Sequence, residues 1–141
     1  MAFDDGSVGS DRDLHRSLDR LWAALNAESN VLSEARWRAL LAEEVADLAA
    51  AVDSHFAREE TGGYFAESIA RMPSLSNRAD ELLAEHAQVR RQLAELTTIP
   101  TGAGAGYRKS LRDLVALLRR HEHDEEALMQ EAVLRDFGAG D

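Results

Sequence analysis

Apolar residues recur along this chain at spacings of three and four, the period of a helix with one buried face. Leu14, Leu18, Leu21 and Leu25 mark one such stripe, and Leu41, Val45, Leu48, Val52 and Phe56 a second. Leu75, Leu82, Val89, Leu93 and Leu96 mark a third, and Leu111, Leu114, Val115, Leu118 and Met129 a fourth. Ala, Leu, Glu and Arg dominate, all good helix formers, whereas β-branched and aromatic residues never alternate over a useful length. Between the stripes lie "NAESNVLS" (26–33), "RMPSLS" (71–76) and "IPTGAGAG" (99–106), whose Asn, Ser, Pro and Gly residues punctuate helices. The pattern predicts helices over 10–26, 34–60, 76–97 and 106–135. Asp11, Ser33 and Ser74 or Ser76 are the expected N-caps. Gly62 and Gly63 are expected to end the second helix, because paired glycines cost about 2 kcal/mol in a helix interior. Short connections favour antiparallel neighbours, so the expected fold is all-α, an antiparallel up-down-up-down four-helix bundle. It would occupy 10–137 as one domain, after a flexible N-terminus over 1–9.

Composition narrows the function. A chain of 141 residues buries enough surface for one core without disulfides, and it has no cysteine for a disulfide or a thiolate metal site. A formal charge of −10 and a pI near 4.9 argue against nucleic acid or an anionic membrane as partner, since either needs a concentrated basic surface. The opening "MAFDDGSVGSDRD" lacks a basic stretch followed by an apolar run, and no segment approaches eighteen uninterrupted apolar residues. A cytoplasmic protein is expected.

The chemistry sits on the buried stripes. At about 100° per residue, Glu59 falls about 20° and His55 about 60° from the centre of the second stripe, with Glu60 about 80° away on the other side. His86 lies inside the third, about 45° from its centre. In the fourth, His121 is at one edge and Glu125 well inside, while His123 points to solvent. His15 lies at the edge of the first stripe. Any one of these histidines, taken singly, reads as a core imidazole hydrogen-bonded to a carbonyl, and a Glu four residues after a His is commonplace in so Glu-rich a chain. Four inward histidines, one per helix, two of them followed by an inward Glu at i+4, need something to neutralise them. Unpartnered, each buried charge costs several kcal/mol. Depth gives a second test. The midpoints of His55 with His86 and of His86 with His121 fall beside the second and third breaks, so those three share one layer. The midpoint of His15 with His55 misses the first break by about five residues, or about 7 Å of helix, so His15 fits only if that connection is asymmetric.

Imidazoles and carboxylates in one layer suit a pair of first-row metal ions with carboxylates bridging them. Iron is the expected occupant, two ions per chain, with zinc or manganese as alternatives. The set His15 in "DLHRSLDRLWAAL", His55 and Glu59 in "SHFAREE", His86 in "LLAEHAQVRRQL", and His121 and Glu125 in "LLRRHEHDEEALM" resembles the hemerythrin-like (HHE cation-binding) domains. The resemblance implies a non-haem di-iron centre in which Glu59 and Glu125 bridge, His15 and His55 serve one ion, and His86 and His121 the other. Two departures count against reversible oxygen carriage. Arg90 stands where the oxygen carriers have a second histidine on the third helix, and reads as an edge residue snorkelling outward. The last carboxylate stands at i+4 as Glu125 rather than at i+5, which would be Glu126. One ion then has a position open to a small ligand or to an oxygen donor such as Tyr64. The expected function is a metal-binding module that binds or senses O2, NO or peroxide. A di-iron enzyme turning over peroxide or nitric oxide, and a metal-free structural bundle, are the alternatives. No separate inward acid, base or nucleophile supports a fuller catalytic mechanism. Trp22 and Trp37 are expected as core or helix-packing residues.

Overall fold

The computed structural model describes the backbone over residues 5–27, 34–61, 67, 70–98 and 105–139, and side chains within 11–135 of that range. Four α-helices carry the chain: α1 Asp5–Asn26, α2 Glu34–Glu60, α3 Ser76–Leu96 and α4 Ala105–Ala139, with a short 3-10 turn Pro73–Leu75 leading into α3. There is no strand among the described residues, and no described helix is long and apolar enough to cross a membrane. The all-α four-helix bundle expected from the stripes is the fold observed.

Neighbouring helices run antiparallel, as their pairings show. Asp11 faces His55, Arg20 faces Glu44, and the Trp37 indole donates to the Ala24 carbonyl at 3.0 Å, so numbers fall on α2 as they rise on α1. On α3 and α4 the ladder is Arg78 with Glu131, Glu85 with His121, and the Tyr107 hydroxyl donating to the Leu96 carbonyl. α1 also packs on α4, where Arg119 reaches Asp19, and this closes the bundle.

The predicted stripes are the core. Leu14, Leu18, Leu21, Leu41, Leu48, Val52, Phe56, Val89, Leu111, Leu114 and Leu118 are essentially inaccessible and form one large cluster. A smaller cluster of Leu75, Ala79, Leu82, Leu128 and Ala132 lies toward the other end. In α4 Leu128 is fully buried and Met129 half-buried, the reverse of what the sequence stripe, which included Met129, implied. Trp37 is buried in the core, and Trp22 lies at the surface of α1 beneath Arg119 of α4.

Helix ends depart most from expectation. α1 begins at Asp5, so the expected cap Asp11 lies inside the helix. The N-cap position of α3 is Leu75, with no side-chain cap. Ser76 donates back to the Pro73 carbonyl, and Ser74 accepts from Arg135. Ser33, Gly62, Gly63 and Tyr64 lie outside the described residues.

Candidate metal centre

Between the two apolar clusters lies a polar layer. In α4, Leu118 belongs to the large cluster and Leu128 to the small one, with His121, Glu122 and Glu125 between them; in α3, His86 stands between Leu82 and Val89. His55, His86, His121 and Glu125 are all buried, and Glu59 nearly so. The three imidazoles expected at one height are together: the rings of His86 and His121 are 5.1 Å apart, and Phe56 stacks on His86 at 3.7 Å. One donor atom each from Glu59, His86, His121 and Glu125 lies within 4.8 Å of the others, and the same holds for Asp11, His55 and Glu122.

The two expected bridging carboxylates stand between the two sides of the layer. Glu59 Oε1 is 3.3 Å from His86 Nε2 and 3.5 Å from His55 Nε2. Glu125 Oε1 is 3.1 Å from His121 Nε2 and 3.8 Å from His55 Nε2. His123 is exposed, as the wheel requires, and so is Glu126.

Each imidazole turns Nε2 inward and Nδ1 toward an outer carboxylate. Nδ1 of His55 meets Asp11 at 3.0 Å, that of His86 meets Glu60 at 2.8 Å, and that of His121 meets Glu85 at 2.7 Å. An ionised carboxylate can only accept, so Nδ1 carries the proton. In a neutral ring the Nε2 lone pair then faces the layer, which is the arrangement that orients histidine as a metal ligand. Arg90 extends this set on one side. It donates to both oxygens of Glu60, at 2.7 and 3.0 Å, and lies over the Phe56 ring at 5.4 Å. Arg90 is therefore a clamp on the carboxylate that holds His86, not the free edge residue expected from the sequence.

The structure separates His15 from this layer. It is exposed, and the α1 residue facing His55 is Asp11, one helical turn earlier. The five-residue register mismatch was the sequence signal, and the wheel agrees, placing Asp11 about 50° and His15 about 90° from the centre of the α1 stripe. Glu122 is the other residue the motif order did not single out. It lies about 30° from the centre of the α4 stripe, so the periodicity that marks Glu125 marks it too. Its side chain is 10% exposed, and Oε1 is 3.0 Å from His55 Nε2.

The electrostatics show a cluster short of positive charge. Burial, and then the neighbouring Glu125, push the Glu59 carboxyl up to about 11. Burial also raises Glu122. Burial opposes charge on His55, but the close carboxylates Glu122 and Glu125 outweigh it and push the ring up to about 11. His86 is held below its ordinary value by burial. Glu125 lies below the usual carboxylate range because His121, His55 and Glu59 together overcome its burial. The layer thus keeps protons in place of counter-charges. Even so, His86 Nε2, His121 Nε2, Glu59 Oε1, Glu122 Oε1 and both oxygens of Glu125 are buried without an aligned hydrogen bond among the described residues. Buried polar atoms are rarely left so, and a convergent set of them with nitrogen and carboxylate donors fits a first-row metal cation.

No curated protein and no solved structure shows significant similarity to the chain. The hemerythrin HHE cation binding domain, in contrast, matches residues 11–133, nearly the whole length and every residue of the polar layer, and the chain belongs to that family.

Proposed function

We propose that this protein holds two iron ions in the polar layer and uses them to bind or sense a small ligand such as O2, NO or peroxide. The observation that carries the reading is the inward convergence, from three helices and without an aligned hydrogen bond, of Nε2 of His86 and His121 and carboxylate oxygens of Glu59, Glu122 and Glu125, with each imidazole of the layer fixed from behind by a carboxylate. His86 and His121 would serve one ion and His55 the other. Glu59 and Glu125 would lie between them, since each approaches His55 on one side and His86 or His121 on the other. A bound metal pair supplies Lewis acidity and one-electron redox change. The protein's part is to fix the donors, to exclude bulk water with the two apolar clusters, and to give up protons from His55 and Glu59 as cations enter. Against a metal-free structural bundle stands the number of buried donor atoms that hydrogen bonds do not satisfy.

The test is spectroscopic. Anaerobically iron-loaded, reduced protein is exposed separately to O2, NO and peroxide. New charge-transfer absorption with at least one of them, missing from His121→Ala, is expected. An unchanged spectrum with all three rejects the ligand reading.

A further inference from the structure

The two sides of the layer are chemically unlike. On one side His86 and His121 bring two imidazoles together. On the other, His55 is accompanied by Glu122 and Asp11, and no second histidine takes part among the described residues. The histidine that the family resemblance would put there, His15, is exposed and one turn along α1. Of the two carboxylates, Asp11 is half exposed and is engaged with Nδ1 of His55, the nitrogen facing away from the layer. Glu122 is nine-tenths buried, and its Oε1 lies beside Nε2, the inward nitrogen, without an aligned hydrogen bond. A carboxylate buried in this way needs a proton or a cation beside it, and a bound metal ion would supply that charge in place of the His55 proton.

We propose that Glu122 is a metal ligand of the His55 side, in the position His15 would otherwise hold, and that the centre consists of an imidazole-rich and an oxygen-rich half. This rests on the two-metal reading above. With Glu59 and Glu125 shared, the His86–His121 half suits zinc or iron. The His55–Glu122 half suits harder ions such as Mn(II) or Fe(II), which favour oxygen donors.

The experiment uses the full chain, stripped of metal, given one equivalent of Zn(II) and then titrated with Mn(II), with free Mn(II) read by electron paramagnetic resonance. Wild type is expected to retain the zinc and take one further Mn(II) per chain. Glu122→Ala should retain the zinc and bind Mn(II) at least tenfold more weakly, and Glu122→Gln, which preserves the volume, should behave in the same way. His15→Ala should match wild type. Unaltered Mn(II) binding in both Glu122 variants, or its loss in His15→Ala, overturns the proposal while leaving the two-metal reading intact. Wild type that binds neither cation overturns both. Because Glu122→Ala removes a buried charge and His15 lies at the surface, both variants are expected to fold, as far-ultraviolet circular dichroism will show.

Discussion

At the scale of single residues, each imidazole does two jobs, and the outer one is easy to overlook. Nδ1 donates to Asp11, Glu60 or Glu85, which fixes the ring so that Nε2 faces its counterparts. The Glu60 arm is the most strongly held: Arg90 grips it with two hydrogen bonds and keeps its carboxyl below the usual range. Loss of such a supporting group typically weakens metal binding by about 10- to 100-fold. Arg90→Met should therefore lower metal affinity by about tenfold in a chelator competition, with Arg90→Lys between it and wild type because a single ammonium cannot span both oxygens. An Arg90→Met protein that binds metal as wild type does would show the clamp to be idle. His121→Ala should lower metal content while His123→Ala leaves it unchanged, and the reverse would refute the α4 register. The inner histidines of α2, α3 and α4, with Glu59 and Glu125, were legible in the sequence because helical angle largely decides burial there. Outer partners such as Glu60 and Glu85 were not, because a long side chain at the edge of a stripe reaches a ring on the next helix, and no periodicity within one helix reports that.

At the scale of elements, the stripes specified which face of every helix is buried, while the ends of the helices were less readable. Apolar periodicity integrates over many residues, whereas a cap depends on one side chain with local competitors. Ser76, for example, bonds back to Pro73 instead of capping. α1 shows how an end affects the site: it starts at Asp5, and its alignment with α2 brings Asp11 rather than His15 level with His55. Packing of α2 on α3 depends on Phe56, which is fully buried and stacked nearly parallel on His86. Truncating a buried Phe to Ala costs about 3–5 kcal/mol. Phe56→Ala should lose about that much in urea unfolding of the metal-free protein, and Phe56→Leu should lose less. If Phe56→Ala unfolds at the wild-type midpoint, the stacking is not part of the core.

At the scale of the whole molecule, the bundle encloses a polar layer between two apolar clusters, and without cations that layer is held by protons. Unfolded, His55 and Glu59 release protons near their ordinary values of 6.5 and 4.5; folded and metal-free, both are pushed up to about 11. Between about pH 7 and 9 the folded chain therefore binds more protons than the unfolded one, and stability falls as pH rises through that window. His86, held low, and Glu125, ionised throughout, do not alter the sign there. Thermal melts of metal-free protein should show a higher Tm at pH 7 than at pH 9, and metal loading, which displaces those protons, should shrink the difference. A Tm that rises with pH would contradict this charge balance. The most direct test of the whole account is the iron content of wild-type protein after anaerobic reconstitution with Fe(II) and desalting, measured by plasma mass spectrometry against protein concentration. Two irons per chain are predicted, and protein that emerges with none would contradict it.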